Sequence, residues 1–204
     1  MNYFKYYYVY ILNNKIILNF MLLSSKKINT KFETVPFELL DVSGKLISHN
    51  DIKKKNGMVI AFICNHCPYV KDIISKVVND FDILESLDVG VAAIMPNDTE
   101  QYPEDSYEKM KEFSHNNKFS FPYLYDKDQS VAKTYQAVCT PDFFGFNKNH
   151  ELQYRGRLDA SRKEAGPVDL KRDLFEAMKE VARTGYGPKD QVASMGCSIK
   201  WKVN

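Results

Sequence analysis

The chain has 204 residues, of which 44% are hydrophobic and 26% charged, with a formal net charge of +2. That length suits one domain with additions, and the hydrophobic share can build a core without disulfide staples. A near-neutral charge gives no support to a nucleic-acid partner, whose footprint is a strong basic excess, and four cysteines in a chain this long are not a disulfide-rich secreted framework.

Residues 1–30 open with Y-F-K-Y-Y-Y-V-Y-I-L, broken by Asn13-Asn14-Lys15 before I-I-L-N-F-M-L-L resumes. A membrane-spanning helix wants ~20 apolar residues without such a break, and a signal peptide wants a compact apolar core and a small-residue cleavage site. Met21 is itself a plausible start codon. Three readings stay open for this extension: a disordered leader or over-extended start, a weak anchor or export signal, and a folded addition.

From Phe32 the pattern becomes that of a globular domain. F-E-L-L-D-V-S-G-K-L-I-S predicts a β-hairpin turning at residues 41–45. Residues 58–70, M-V-I-A-F-I-C-N-H-C-P-Y-V, begin with an unbroken apolar run, which predicts a strand buried on both faces. After Pro68 the period changes: Val70, Ile73, Ile74, Val77, Val78, Phe81 and Leu84 share one helix face, and the helix is expected to end near Ser86. V-G-V-A-A-I-M, stopped by Pro96, completes a βαβ unit whose strands should be parallel neighbours. Pro103 predicts the start of a charged helix with Tyr107, Met110 and Phe113 inward. Residues 121–125 predict a short strand, and Asp128 an N-cap for a helix carrying Val131, Ala132, Tyr135 and Val138. D-F-F-G-F, a turn at residues 147–150 and E-L-Q-Y-R predict an antiparallel hairpin. A last helix is expected from Pro167, with Leu170, Leu174, Met178 and Val181 inward, stopping at Gly185. The chain thus divides into an extension (residues 1–30), a domain (31–186) and a C-terminal tail (187–204).

Cys64-Asn65-His66-Cys67 falls where the buried strand turns into the helix, a place where backbone N–H groups and the helix dipole favour an anion such as a thiolate. A zinc site would need four ligands and normally a second C-x-x-C knuckle. Here Cys139 and Cys197 are isolated and His49, His115 and His150 are scattered, which favours a redox pair over a metal site. His66 is a candidate to donate a hydrogen bond or lend charge to a Cys64 thiolate, which would make the disulfide more oxidising; the plainer reading is an exposed polar residue on the first turn. Thr140-Pro141 precedes a hairpin strand that should face the C-x-x-C. A cis bond there would expose backbone for a substrate peptide to pair with; the alternative is an ordinary trans loop proline. Cys139 reads as a small buried apolar residue or a third redox thiol, and Cys197 as a mobile shuttle thiol or part of a packed C-terminal strand with Trp201. Arg155, Arg157 and Asp159 read as a solvated charged edge.

The order of elements, the C-x-x-C opening the first core helix and the Thr-Pro before the hairpin resemble the thioredoxin superfamily. Over residues 32–201 the strings F-I-C-N-H-C-P-Y-V, Y-P-E-D-S, F-P-Y-L-Y-D, C-T-P-D-F-F, Y-R-G-R-L-D and S-M-G-C-S-I-K-W-K are similar to its bacterial peroxiredoxin-like group, commonly placed under alkyl hydroperoxide reductase/thiol-specific antioxidant. The resemblance implies an α/β thioredoxin-like fold: a mixed central sheet flanked by helices, an N-terminal β-hairpin, and an insert at residues 96–138 between the βαβ and ββα halves. It implies that Cys64 is the exposed nucleophile, Cys67 the resolving thiol and Pro141 a cis-proline after Thr140. One departure matters. Peroxiredoxins resemble each other in P-x-x-x-T-x-x-C; aligning that cysteine with Cys67 puts Ile60 and Cys64 where Pro and Thr belong, so the groups that shape a peroxide pocket are missing.

The reading is therefore a thiol–disulfide oxidoreductase using Cys64 and Cys67, with His66, Thr140 and Pro141 in the site and Cys139 and Cys197 as auxiliary thiols. A thiol-dependent peroxidase and a metal-binding or scaffold module are the alternatives. No cofactor and no metal are called for. The expected partners are a disulfide- or thiol-bearing protein or small molecule and a separate reductant or oxidant. The expected location is the cytoplasm, or the periplasm or membrane if the N-terminal leader is genuine.

Overall fold

The strand Met58–Phe62 carries two cores at once, because its alternate side chains enter opposite sides of one sheet. Val59 and Ala61 pack with Val70, Ile74, Val77, Phe81 and Leu84 of the following helix, while Met58, Ile60 and Phe62 pack with Phe37, Val131 and Tyr135. All five residues of the strand are buried, which is why its sequence is apolar throughout rather than alternating. The computed structural model describes residues 11–12, 15–16, 22–24, 32–161 and 170–203.

In chain order the strands are β1 (Ile11–Leu12), β2 (Lys15–Ile16), β3 (Leu22–Ser24), β4 (Glu38–Asp41), β5 (Leu46–Ser48), β6 (Met58–Phe62), β7 (Gly90–Met95), β8 (Tyr123–Tyr125), β9 (Cys139–Thr140), β10 (Asp142–Phe146), β11 (Leu152–Gly156) and β12 (Met195–Ser198). The helices are α1 (His49–Ile52), α2 (Pro68–Ser86), α3 (Tyr107–Asn116), α4 (Ser130–Thr134) and α5 (Asp173–Thr184). A seven-stranded sheet runs β11-β10-β6-β7-β8-β4-β5. β6, β7 and β8 are parallel and the other neighbours antiparallel, so the sheet is mixed, as expected. α2, α3 and α5 contribute to the core on one face, α1 and α4 to the core on the other.

The two predicted hairpins form, β4–β5 through a turn in which Asp41 accepts from the Ser43 amide and Gly44 adopts φ +85°, and β10–β11. Several boundaries differ. Pro103 starts a single 3₁₀ turn, Pro103–Asp105, and the helix proper begins only at Tyr107, because Ser106 is extended (ψ 157°). That break turns Asp105 inward. The first turn of α4 is held by Asp126, whose carboxylate accepts from the amides of Val131 (3.3 Å) and Ala132 (2.8 Å), whereas Asp128 reaches only the Ser130 amide (3.0 Å). The last helix starts at Asp173 rather than Pro167, which lies outside the described residues, and closes at Gly185 with φ +83° as predicted. The insert is not purely peripheral: its β8 joins the main sheet beside β7.

Residues assigned to the N-terminal extension and the C-terminal tail meet in a second, three-stranded sheet, β3-β12-β9. Little of the leader lies within the described residues beyond β3 and the β1–β2 pairing. Among the described residues, no helix is long and apolar enough to cross a membrane.

Because Phe62 is fully buried between Tyr135 and Phe144, with edge-on ring contacts to both, Phe62→Ala should cost about 3–5 kcal/mol of stability, read as a lower midpoint in chemical denaturation.

Candidate active site

β6 ends at Phe62, and the chain crosses five residues before α2 begins at Pro68. Proline fits that first helical position because its missing N–H would have no partner there. Cys67 is the N-cap and has no side-chain capping bond, so its sulfur is left facing inward at the helix start, where the carbonyl of Cys67 accepts from the amides of Val70 and Lys71.

The turn is held from outside by Asp105, a fully buried carboxylate. One oxygen accepts from the amides of Asn65 (2.8 Å) and His66 (3.2 Å), the other from Asn97 Nδ2 (2.7 Å) and pairs with His66 Nδ1 (2.6 Å). Asn65 is fixed further by the Tyr123 hydroxyl, which donates to its side-chain oxygen at 2.8 Å. Sequence reasoning missed Asp105, Asn97 and Tyr123. Asp105 lay within the quoted string Y-P-E-D-S, but the predicted continuous helix hid its inward turn.

Thr140 and Pro141 face the cysteines from the far side, and the bond between them is cis. Thr140 Oγ1 is 3.3 Å from Cys64 Sγ, and the Cys67 thiol donates to the Thr140 carbonyl at 3.2 Å. The backbone expected to lie open for a substrate is occupied on one edge: β12 pairs with β9 in the register Cys197 opposite Thr140 and Ser198 opposite Cys139. Cys197 Sγ lies 3.0 Å from Cys67 Sγ. Cys197 is buried and held, so it is not a mobile shuttle, and Trp201 falls beyond the strand, exposed. Cys139 is buried too, its thiol donating to the Pro141 carbonyl at 3.6 Å, a weak contact at that length.

Two expectations, the exposure of Cys64 and the solvated charged edge, are corrected by this geometry. Cys64, taken as the exposed thiol, has no exposed surface. His66 has Asp105 as a ring partner and stacks on Tyr102 (centroids 5.8 Å apart), contacts that help hold the turn in place. The charged edge is also not solvated. Arg155 is buried, donates to Asp142 (3.0 Å) and the Gln136 carbonyl (2.8 Å), and lies over the Phe144 ring, bracing the loop that carries Pro141. Asp159 pairs with Lys76 and Arg157 with Asp173.

The sulfurs are electrostatically unequal. Burial, the hydrogen bond to Cys67 and the negative charge of Asp105 push the Cys64 thiol well above its ordinary range. Hydrogen bonds from Cys197 and Cys64, with help from the Val70 amide, pull Cys67 down. Cys197 is raised, first by its bond to Cys67 and then by burial. As a thiolate, Cys67 must give up its bond to the Thr140 carbonyl, which works against the downward shift. Among the described residues, Cys64, His66 and Asp105 place possible metal-ligand atoms within 4.8 Å of one another. Three donors fall short of the four that close a structural zinc site, and both Asp105 oxygens are already engaged by nitrogen partners.

A protein-family model described as the AhpC/TSA family matches residues 30–155. The chain belongs to this family. This AhpC/TSA protein is similar to a conserved protein from Geobacillus kaustophilus, with 39% identity over 90% of this chain and 97% of that one, and a TM-score of 0.85. It is also similar to a hypothetical protein from Sinorhizobium meliloti 1021, at 34% identity over 89% and 99% of the two chains and a TM-score of 0.84. A thioredoxin domain of a thiol-disulfide oxidoreductase from Bacteroides vulgatus shares the fold, with 14% identity over 76% and 99% and a TM-score of 0.59. No curated protein sequence matches the chain. Family and fold together make this a thioredoxin-superfamily, peroxiredoxin-like redox protein.

Because Cys64 holds its proton more tightly folded than unfolded, its contribution to stability is complete below the unfolded thiol value of 9.0 and is lost as pH rises toward the folded one. The reduced protein should therefore destabilise as pH climbs above about 9. Asp105→Asn, which removes the opposing charge and keeps the shape, should move the Cys64 transition in thiolate absorbance to lower pH and shrink that alkaline loss.

Proposed function

We propose that the protein is a thiol–disulfide oxidoreductase whose redox couple is Cys64 and Cys67. The observation that carries this reading is that both thiols of one C-x-x-C turn converge on Thr140, at the N-terminus of α2 and beside Pro141. The reaction starts from the singly deprotonated pair, with the charge on Cys67, the thiol whose surroundings favour ionisation.

Motif order assigns attack to Cys64. As its sulfur bonds to one sulfur of a substrate disulfide, its proton passes to the Cys67 thiolate and the other substrate sulfur leaves as a thiolate. Cys67 then attacks the Cys64 end of the mixed disulfide, its proton going to the departing sulfur. One substrate disulfide becomes two thiol groups, and the enzyme's two thiols become one disulfide. The substrate is a disulfide-bearing protein or small molecule, and a separate dithiol partner restores the reduced pair; with the opposite poise, the same steps run in reverse.

A second reading, reaction with peroxide, draws on one observation. Cys67, the thiol favoured as thiolate, is the one that aligns with the peroxide-attacking position of the peroxiredoxin pattern. There a sulfenic acid on Cys67 would condense with Cys64, releasing water. Ile60 and Cys64 replace the Pro and Thr of that pattern, which favours the disulfide reading. A fast second-order reaction of the reduced protein with hydrogen peroxide would reverse the preference.

Cys64→Ser should lower turnover of a test disulfide to the background rate, and Cys67→Ser in a Cys197→Ser background should accumulate a mixed disulfide on Cys64, seen as a mass adduct released by reductant. Full turnover in both Cys64→Ser and Cys67→Ser would overturn the dithiol reading.

A further inference from the structure

Cys67 has two sulfur neighbours, from opposite ends of the chain. Cys64 is three residues before it in the same turn, and Cys197 is 130 residues after it, with the sulfurs 3.0 Å apart. That approach is built into the strand pairing. Gly196 lies against Thr140 and Pro141 so closely that a Cβ on it would collide with the Thr140 carbonyl, and only a glycine lets β12 come this near to β9. The segment after Cys197 is tied down as well. The Lys200 amide donates to Asn97 Oδ1 (2.9 Å), and its carbonyl accepts from the Asp98 amide (2.8 Å) and from Gln129 Nε2 (2.8 Å). Asn97 is also a donor to Asp105, so one network fixes both the C-x-x-C turn and the strand carrying Cys197.

We propose that Cys197 is a third redox thiol, which exchanges with the Cys64–Cys67 disulfide through Cys67 and moves the bond to Cys67–Cys197. The inference rests on the reading of Cys64 and Cys67 as a redox couple. In the exchange, the Cys197 thiolate attacks Cys67 Sγ. The Cys67–Cys197 bond forms as the Cys64–Cys67 bond breaks, and the electron pair leaves on Cys64 Sγ, which takes up the proton released by Cys197. No oxidant or reductant is consumed. The geometry needs the two sulfurs to close from 3.0 Å to the ~2.05 Å of a disulfide, a shift of about 1 Å. The foremost cause that holds the proton on Cys197 in the reduced protein is its hydrogen bond to Cys67, and that cause is gone once Cys67 is in a disulfide; the charge of Lys200 favours the Cys197 thiolate throughout. Because Cys67 is common to both contacts, the three thiols hold at most one disulfide at a time.

Oxidation of single variants with diamide, followed by thiol counting and non-reducing tryptic mapping, tests this. Cys64 and Cys67 fall on one tryptic peptide, residues 56–71, and Cys197 on another, residues 190–200, so the new bond joins two peptides that are otherwise separate. Cys64→Ser should lose two of its three thiols and yield the joined peptides. Cys197→Ser should lose two thiols with residues 56–71 left unjoined, carrying the Cys64–Cys67 bond. Oxidised wild-type protein, which needs no variant to fold, should contain the joined peptides linked through Cys67, and Gly196→Ala should reduce their share. If Cys64→Ser keeps all three thiols and the wild-type protein shows no joined peptides while Cys197→Ser still forms its internal bond, the third-thiol proposal fails and the dithiol reading stands. If Cys197→Ser also forms no bond, both fail.

Discussion

Thr140 is the point at which the redox chemistry and the fold meet, because it touches all three converging thiols by three different means. Its hydroxyl reaches Cys64, its carbonyl accepts from Cys67, and its backbone sets the register of Cys197. The residue is fully buried, and the chain on either side of it is braced independently. Cys139 pairs with Ser198 before it, and after it Asp142 is held by the buried Arg155. Removing one partner of a buried ion pair leaves an uncompensated charge, so this brace resists displacement. The position of Thr140 is therefore set by the packing of β9, β10 and β12, and the spacing of the sulfurs follows from it.

Opposite Thr140 stands Asp105, and the two act on the C-x-x-C turn in opposite electrostatic senses. A carboxylate that accepts several N–H bonds is stabilised as an anion and makes a rigid anchor for the turn. The same negative charge disfavours a thiolate on Cys64. Cys67 lies at the start of α2, where the helix dipole favours negative charge and neighbouring thiols can donate to it. The result is a dithiol whose two sulfurs are biased in opposite directions by burial, hydrogen bonds and the Asp105 charge.

Much of this was legible in the sequence, and the parts that were not share a cause. The strand–C-x-x-C–helix junction could be read because it is local: the apolar run of β6 and the helical spacing from Val70 to Leu84 carry their own periodicities. Thr140-Pro141 could be placed opposite it because the order of elements restricts the topology. Asp105 escaped because its role depends on a one-residue interruption, Ser106, between the 3₁₀ turn and Tyr107, smaller than the precision with which a helix start can be read. β12 stayed only one of two readings of the tail for a different reason. A strand of four residues, with Gly196 and Cys197 at its centre, has no alternation to recognise, and what makes it a strand is pairing with residues 22–24 and 139–140 far away in the chain. Arg155 read as surface because it is charged; its burial depends on a partner, Asp142, on the neighbouring strand.

The separation of the thiols along the chain also decides which disulfide depends on folding. In an unfolded chain Cys64 and Cys67 remain neighbours, so a bond between them closes a short ring and is available whether or not the protein is folded. Cys197 reaches Cys67 only when β12 has docked, 130 residues away. A bond that is favoured in the folded state over the unfolded one must, by linkage, stabilise the folded state by the same amount. On the chain-entropy account, closing a loop of more than 100 residues contributes about 4–5 kcal/mol, less any strain in the native geometry. Moving a disulfide from Cys64–Cys67 to Cys67–Cys197 would therefore do two things together. It would return Cys64 to the thiol state and fasten the C-terminal strand to the start of α2, coupling the redox state of the site to the stability of the sheet that positions Thr140.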